Sequence, residues 1–185
     1  MSARDQILQA TLGLIGERGI GAVTNRAVAR AAGVSLGSLT YHFPSQEELL
    51  REALHTFVEE EIARITAYCT ALADVGMGPV QAPDQVERAI ADFADGPKQI
   101  ANLELHLHAA RDPALRDASQ RSVEAYDRLA TAVLGALGIP DADRHAPAIV
   151  AMLYGLAIRR LATGDTTGGG TADAFRLLLL GALPR

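Results

Sequence analysis

The sequence predicts an all-α protein with a small N-terminal domain of three helices, which contains a helix-turn-helix, followed by a larger C-terminal helical domain. Three observations support this fold class. Apolar residues recur at helical spacing along most of the chain. Ser or Thr stands where several helices would begin, and Gly stands where they would end. With 185 residues, of which 49% are apolar and 21% charged, the chain also has ample material for a core.

The first helix is bounded by residues that favour helix ends. Ser2 and Asp5 have the spacing of a capping box, and Gly19 stops the helix. Between them, apolar residues at positions 7, 8, 12, 14 and 15 form one face. We therefore expect this helix to bury that face in the N-terminal domain.

Two short helices follow and make a helix-turn-helix over about residues 24–43. Thr24 caps the second helix, which ends near Ala32, and Gly33 fits the left-handed position that terminates it. Ser35 caps a third helix of about seven residues. The apolar residues spaced to pack between the two helices are Val28, Val34 and Leu39.

The rest of the chain also favours helices. Ser45 begins a long helix of about 28 residues, and a Gly/Pro-rich connection follows it at 74–84. Residues 102–110 alternate like a strand, but a lone strand would leave its backbone groups unpaired, so we predict a helix there. The further predicted helices lie at about 84–95, 97–110, 113–137, 141–163 and 171–183. We place the domain boundary between residues 1–46 and residues 47–185.

The third helix presents a surface suited to a DNA groove. Its outward residues form an uncharged, hydroxyl-rich face about 10 Å long at 1.5 Å per residue, which fits a major groove about 12 Å wide. Gly33 makes the turn, whereas Gly37 lets the helix backbone approach DNA closely because it has no side chain. The outward residues are Leu36, Gly37, Ser38, Thr40 and Tyr41.

Residues 7–54 resemble the DNA-binding domain of the TetR family of transcriptional regulators. The features in register are Thr24, the "AAGVS" turn, Gly37, "HF" and the "S-x-E-x-L" that begins at Ser45. "AARDPALR" (109–116) and "YGLAIRRLATG" (154–164) also resemble C-terminal stretches of that family. The resemblance implies an all-α homodimer with an N-terminal DNA-binding domain and a C-terminal ligand-binding and dimerisation domain. It implies a repressor that a small-molecule effector releases from a pseudo-palindromic operator.

The resemblance also assigns roles at the DNA. Arg26 would read a base or anchor a phosphate, Leu36 and Gly37 would meet bases, and Tyr41 and His42 would contact phosphates. Two positions depart from the family pattern, since this chain has Thr40 where a Tyr is usual and Gln46 where a Lys is common. The residues expected at the DNA are Thr24, Asn25, Arg26, Ser35, Leu36, Gly37, Ser38, Thr40, Tyr41 and His42.

The C-terminal domain contains candidate effector-binding residues. Asn102 and His106 share one mostly apolar side of a helix. Polar groups placed there either satisfy each other between helices or anchor an effector in an apolar cavity. The further candidates are Tyr68, Phe93, Tyr126 and Tyr154.

The last two predicted helices are candidates for a dimer interface. The helix at 171–183 is apolar nearly all round, and the helix at 141–163 is apolar through "AIVAMLYGLAI". Paired with their symmetry mates they would form a four-helix interface, although burial within one monomer is the alternative. The expected interface residues are Leu153, Leu156, Phe175, Leu179 and Leu180.

Charge and composition limit the other function classes. The net charge is −5, but residues 1–55 balance five Arg (4, 18, 26, 30 and 51) against five acidic residues and contain no Lys. Of these arginines, Arg4, Arg26 and Arg30 are the expected phosphate anchors. No catalytic motif is present and we expect no cofactor, while a metal site using Glu104 and His108 is a minor alternative.

The sequence also leads us to expect neither a signal peptide nor a membrane span. No signal peptide and no uninterrupted apolar run of membrane length occurs, and the single Cys69 excludes an internal disulfide. We therefore expect a cytoplasmic protein without a membrane partner. The alternative to a regulator is an all-α small-molecule-binding protein or enzyme on the same scaffold that does not bind DNA.

Overall fold

The computed structural model describes residues 1–75 and 96–164, and all the regular elements in these ranges are helical. This confirms the all-α fold class. Two predicted helices, at 84–95 and 171–183, lie outside the described residues. The helices are α1 (Ala3–Arg18), α2 (Asn25–Ala32), α3 (Leu36–His42), α4 (Gln46–Val75), α5 (Gly96–Ala109), α6 (Arg116–Ala136) and α7 (Ala142–Thr163), and Ile20–Ala22 and Pro113–Leu115 form short 3-10 turns.

The predicted ends of α1 are confirmed by a reciprocal pair of hydrogen bonds at its start. The Asp5 backbone N–H donates to Ser2 Oγ (3.2 Å), and the Ser2 backbone N–H donates to Asp5 Oδ2 (2.9 Å). The Ser2 backbone N–H, followed by the Ser2 hydroxyl, favours the ionised carboxylate and holds the pKa of Asp5 below its usual range. At the other end Gly19 has φ +75°, a conformation that residues with a Cβ rarely adopt.

The helix-turn-helix has the predicted caps. Thr24 Oγ1 accepts the Ala27 N–H at 3.2 Å, and Ser35 Oγ accepts the Ser38 N–H at 3.0 Å. Gly33 lies in the left-handed region (φ +68°) between the two helices. The local chemistry of the sequence thus sets both the start and the end of α2 and the start of α3.

The long helix and the strand-like segment also follow the prediction. Ser45 Oγ accepts the Glu48 N–H (3.1 Å) and starts α4, which runs for 30 residues. Residues 102–109 lie within α5 in spite of their alternation, because Ala101, Leu105 and Ala109 bury one helical face at a spacing of four.

The chain forms two compact units. The first contains residues 1–62 with 96–122, and the second contains residues 63–75 with 123–164. In the first unit, α5 joins the core of the N-terminal helices. The fully buried members of this core include Ile7, Ile15, Val28, Leu39, Phe43, Leu49, Leu54 and Leu105. The division at residues 46 and 47 predicted from the sequence stays a prediction.

In the second unit, α7 buries one face and exposes apolar residues on another. Ala146, Ile149, Val150 and Ala157 are buried, whereas Ile158 is 53% exposed in the single chain. By length and composition alone, α7 could cross a membrane, a test that the core helices of water-soluble proteins also pass. Within the described ranges, no other helix passes it.

Candidate nucleic-acid interface

The outward face of α3 is created by the burial of its opposite side. Val28 of α2 and Leu39 of α3 are completely buried against each other's helices, and Phe43 anchors the end of α3 in the core. This leaves Leu36 45% exposed and Tyr41 82% exposed. Large apolar and aromatic side chains held in water on a short helix are typical of a binding surface.

Gly37 lies on this face, and none of the residues that the structure describes requires a glycine there. A Cβ added at Gly37 would meet Ser35 Oγ at 3.8 Å, which is an ordinary van der Waals contact. The backbone conformation of Gly37 is also open to other residues, since its φ is not positive. Close approach of the α3 backbone to DNA, the role predicted for Gly37 from the sequence, would use the missing side chain and stays a prediction.

The hydroxyl groups of the face are not equally available. The Thr40 hydroxyl donates within α3 to the carbonyl oxygens of Leu36 and Gly37, both at 3.1 Å. A phosphate needs a donor, so Thr40 is a poor phosphate contact in this rotamer. Thr24 and Ser35 accept backbone N–H groups as caps, which leaves their own O–H groups free to donate. Tyr41 extends into solvent with its ring edge against His42, at 5.3 Å between centroids and 77° between planes.

The positive charges near α3 fall into two groups. Arg26 and Arg30 are exposed on α2, and neither has an ion-pair partner among the residues described. Arg4 is an expected phosphate anchor, and its guanidinium pairs with Glu52 at 2.8 Å and lies 5.4 Å from the centre of the Phe43 ring. It would have to leave this carboxylate, which α4 brings from 48 residues away, to reach a phosphate, and its role at DNA stays a prediction.

Two residues at the edges of the helix-turn-helix have polar atoms directed at the protein. Asn25 Oδ1 is buried and has no hydrogen-bond partner in the part of the chain that the structure describes, so its side-chain carbonyl is not offered to DNA. Gln46 replaces the common Lys, and its side-chain amide donates to the carbonyl oxygen of Val23, just before α2. The sequence did not reveal this bond, because the two residues are 23 positions apart and share no periodic pattern.

Asn102 and His106 both have partners on α6. Ser122 Oγ donates to Asn102 Oδ1 at 3.1 Å, and His106 Nδ1 lies 2.7 Å from Ser119 Oγ. Burial lowers the pKa of the His106 imidazole, because it penalises the charged form. The two residues thus show the internal satisfaction that the sequence left as one alternative, and their role at an effector stays a prediction. Ser119 and Ser122 were not predicted from the sequence. They are three residues apart on α6, and this spacing indicates that they share a helix face but does not indicate which helix that face contacts.

The aromatic candidates lie in the second unit. Tyr126 and Tyr154 meet edge to face, with ring centroids 5.9 Å apart and planes at 69°. Tyr68 is half-buried in the same unit. Phe93 lies outside the described residues. The edge-to-face contact is the geometry that aromatic rings prefer. It gives the second unit a pair of half-buried aromatic rings in contact with each other.

The predicted dimer residues on α7 are only partly available. Leu153 and Leu156 are half-buried in the single chain, whereas Ile158 and Leu161 are exposed. Phe175, Leu179 and Leu180 lie outside the described residues. Across residues 1–75 and 96–164, no three His, Cys, Asp or Glu side chains come together as a metal site would require.

Comparison with known proteins places these features in a family. Residues 7–53 match the model of "Bacterial regulatory proteins, tetR family", and residues 78–185 match "Tetracyclin repressor-like, C-terminal domain". The HTH-type transcriptional regulator CymR of Pseudomonas putida is 31% identical over 167 residues, which cover 87% of this chain and 80% of CymR.

Two solved structures give the same result. The multidrug binding protein EbrR complexed with imidazole has a TM-score of 0.68 at 29% identity, over 100% of this chain and 97% of EbrR. Other structures of EbrR contain proflavin, ethidium or malachite green. A member of the TetR family from Streptomyces coelicolor A3 has a TM-score of 0.71 at 29% identity, over 100% of both chains.

Proposed function

The chain belongs to the TetR family of DNA-binding transcriptional regulators, and from this we propose that it is a homodimeric, cytoplasmic repressor that a small-molecule effector releases from a pseudo-palindromic operator. The observation that carries the proposal is the outward face of α3. It combines two exposed side chains, Leu36 and Tyr41, with the bare backbone at Gly37.

This face can read DNA by shape and by apolar contact. The exposed Leu36 can touch a thymine methyl group in the major groove. Arg26 and Arg30 on the neighbouring α2 have no ion-pair partner among the described residues, and Tyr41, Thr24 and Ser35 bring hydroxyl donors for phosphates. Phosphate contacts fix the register of the protein on the duplex, whereas the α3 face carries the sequence preference.

The dimer would be formed through α7. Ile158 and Leu161 are exposed apolar residues of α7, and Ile158 lies away from the face that Ala146, Ile149, Val150 and Ala157 bury. A two-fold axis through this surface would cover them and would present two copies of α3 to half-sites about one helical turn of DNA apart. A lone subunit would hold a single half-site, which is too weak for specific repression.

We propose an aromatic small molecule as the effector class. Tyr126 and Tyr154 already form an edge-to-face pair in the second unit, and such a pair can accept a third ring. EbrR, whose sequence is similar over its whole length, binds imidazole, proflavin, ethidium and malachite green, and each of these molecules carries an aromatic ring.

The DNA-binding function is tested by selection. Purified protein is incubated with labelled duplexes that have a randomised core, and bound duplexes are sequenced after several rounds. We expect enrichment of a pseudo-palindromic site that is bound by a dimer in a gel shift. A protein that enriches no sequence, yet binds an aromatic ligand, would instead support the alternative of a small-molecule binder or enzyme without DNA binding.

The effector class is tested with the fluorescent dyes themselves. Ethidium or proflavin is titrated with the protein, and binding is followed by the change in dye anisotropy. In a separate experiment, the affinity of the protein for the selected duplex is compared with and without an effector candidate. We expect Tyr154→Ala to weaken dye binding while operator affinity in the absence of dye is retained. If neither dye binds, the proposed effector class is wrong, whereas the DNA result is unaffected.

A further inference from the structure

The connection between α1 and α2, residues 19–23, is held from both ends by side chains that are distant in sequence. Within the connection, the Ala22 N–H donates to the Gly19 carbonyl and the Val23 N–H donates to the Ile20 carbonyl, both at 3.1 Å. The Ile20 N–H opens the 3-10 turn and has no acceptor inside it. Gly19 stands in the N-cap position and has no side chain that could accept this hydrogen.

Glu104 of α5 supplies the missing acceptor. Its Oε1 accepts the Ile20 N–H at 3.3 Å, across 84 residues of sequence. The same oxygen would lie 3.2 Å from a Cβ placed on Gly19, which already has φ +75°. Gly19 therefore satisfies two needs, a backbone conformation that favours glycine and room for the Glu104 carboxylate.

The far end of the connection is fixed by α4. Gln46 donates its side-chain amide to the Val23 carbonyl, and Val23 itself is buried. Thr24, the cap of α2, follows directly. Residues 19–23 therefore contact α5 at Gly19 and Ile20, and they contact α4 at Val23.

We propose that Glu104 is a positioning residue for operator binding, which caps the connection from α5 and thereby fixes how α2 and α3 are presented to the major groove. The proposal rests on the proposed function. Its physical basis is that α2 contacts α3 and that Val28 and Leu39 are buried in one core, so that a displaced connection would move the recognition helix together with α2. Specific recognition needs that helix in register with the base edges, whereas non-specific binding needs only nearby positive charge.

The test compares Glu104→Ala with Glu104→Gln on the duplex selected by the wild-type protein. Loss of a hydrogen bond to a charged acceptor should weaken operator affinity about tenfold in Glu104→Ala. The glutamine keeps an Oε1 acceptor and should stay within about threefold of wild type. Binding of both variants to a duplex of unrelated sequence should be unchanged, which separates positioning of α3 from a general loss of structure.

The matched control is Glu60→Ala. Glu60 Oε1 accepts from Gln9 Nε2 of α1 at 2.6 Å. This variant therefore removes the same charge and one side-chain hydrogen bond, but it leaves the contacts of residues 19–23 unchanged. Its operator affinity should equal that of the wild type. The proposal would be overturned if Glu104→Ala is folded and its operator affinity is within twofold of that of the Glu60→Ala control.

A second measurement does not depend on a variant that folds. Hydrogen exchange of the Ile20 amide, followed by NMR on the free wild-type dimer, should be slow because the N–H is bonded to Glu104. Exchange as fast as that of an exposed loop amide would overturn the proposal without any DNA. If the wild-type protein selects no duplex while the Ile20 amide is protected, the proposed function fails, and the positioning role in operator binding falls with it.

Discussion

Arg4 and Arg26 are both exposed arginines of the N-terminal helices, and their surroundings give them different roles. Arg4 pairs with Glu52 and lies over the Phe43 ring, so binding a phosphate would require it to give up an existing partner. Arg26 has no ion-pair partner within the described ranges and stands two residues after the cap of α2. We therefore expect Arg26 to be more available to DNA than Arg4.

Arg26→Ala should weaken operator binding by about 1–3 kcal/mol, because a base or phosphate contact by Arg is lost. Helix content and dimerisation should not change, since Arg26 is exposed. The measurement is fluorescence anisotropy on the selected duplex at fixed salt. Arg18→Ala, which removes the same charge at the end of α1, is the control. Equal affinities for the two variants would remove Arg26 from the contacts.

His106 should make stability depend on pH. Burial lowers its pKa below the ordinary value near 6.5. The unfolded chain therefore takes up a proton at a pH where the folded chain does not, and stability falls as pH decreases below about 6.5. His106→Gln can still hydrogen-bond Ser119 but cannot titrate, so its free energy of unfolding should fall less over this range. The free energy of unfolding of both proteins is measured by urea denaturation from pH 7.5 to about 5. An equal decrease in the two proteins would contradict this prediction.

Among the elements, α1 and α5 pack closely, and a glycine allows it. A Cβ on Gly16 would lie 2.8 Å from the carbonyl oxygen of Pro97 and 3.0 Å from its Cβ. Neither atom can rotate away, because one belongs to the backbone and the other to a ring. The two helices would have to separate to accept any side chain at Gly16, and the buried Ala101 and Leu105 of α5 would lose part of their packing.

Gly16→Ala should destabilise the protein by about 1–3 kcal/mol through this overpacking, in spite of the better helix propensity of Ala. Gly13 is the matched control, because it lies on the same helix, is exposed and has nothing within 4 Å of an added Cβ. Gly13→Ala should stabilise by up to about 1 kcal/mol. Thermal and urea unfolding measure the change in stability of the two variants. Two variants that shift stability in the same direction would show that α1 and α5 are not in close contact.

For the whole molecule, few cations are available for DNA although the protein must bind it. Arg26 and Arg30 give four positive charges per dimer, and neutralising one phosphate contributes ~0.9 to the log–log salt slope. We expect a slope between about −3.5 and −5, the steeper value applying if Arg4 leaves Glu52 on binding. Gln46→Lys should steepen it by up to about 2, one contact per subunit. Operator titrations at several salt concentrations measure the slope, and a value near −8 or steeper for one dimer would reveal missing basic contacts.

Dimerisation is a second property of the whole molecule. Ile158→Glu should yield monomers and abolish operator binding, because an unpaired charge buried at an interface costs several kcal/mol. Leu107→Glu is the control, since Leu107 is a similarly exposed apolar residue (57%) on α5. Light scattering gives the oligomeric state of each variant. A dimeric Ile158→Glu protein would place the interface elsewhere than on the outer side of α7.

The sequence by itself determined the helices of the described ranges and the outward face of α3. Ser2, Thr24, Ser35 and Ser45 mark the helix starts, and Gly33 marks the turn, because each acts on backbone groups within about four residues. The helical spacing of apolar residues likewise indicates which side of α3 is buried. Signals of this kind are local, so a single chain read in order contains them.

The tertiary structure decided what the polar side chains do. Arg4 with Glu52, Gln46 with Val23 and Glu104 with Ile20 join residues that are 48, 23 and 84 positions apart. No periodicity relates such pairs, and each side chain could equally have faced solvent. Which partner it meets depends on how the helices pack, since hydrogen bonds and ion pairs act over a few ångströms of space. For that reason the sequence could indicate Arg26 as a DNA contact, but only the packed helices gave Arg4, Gln46 and Glu104 their partners.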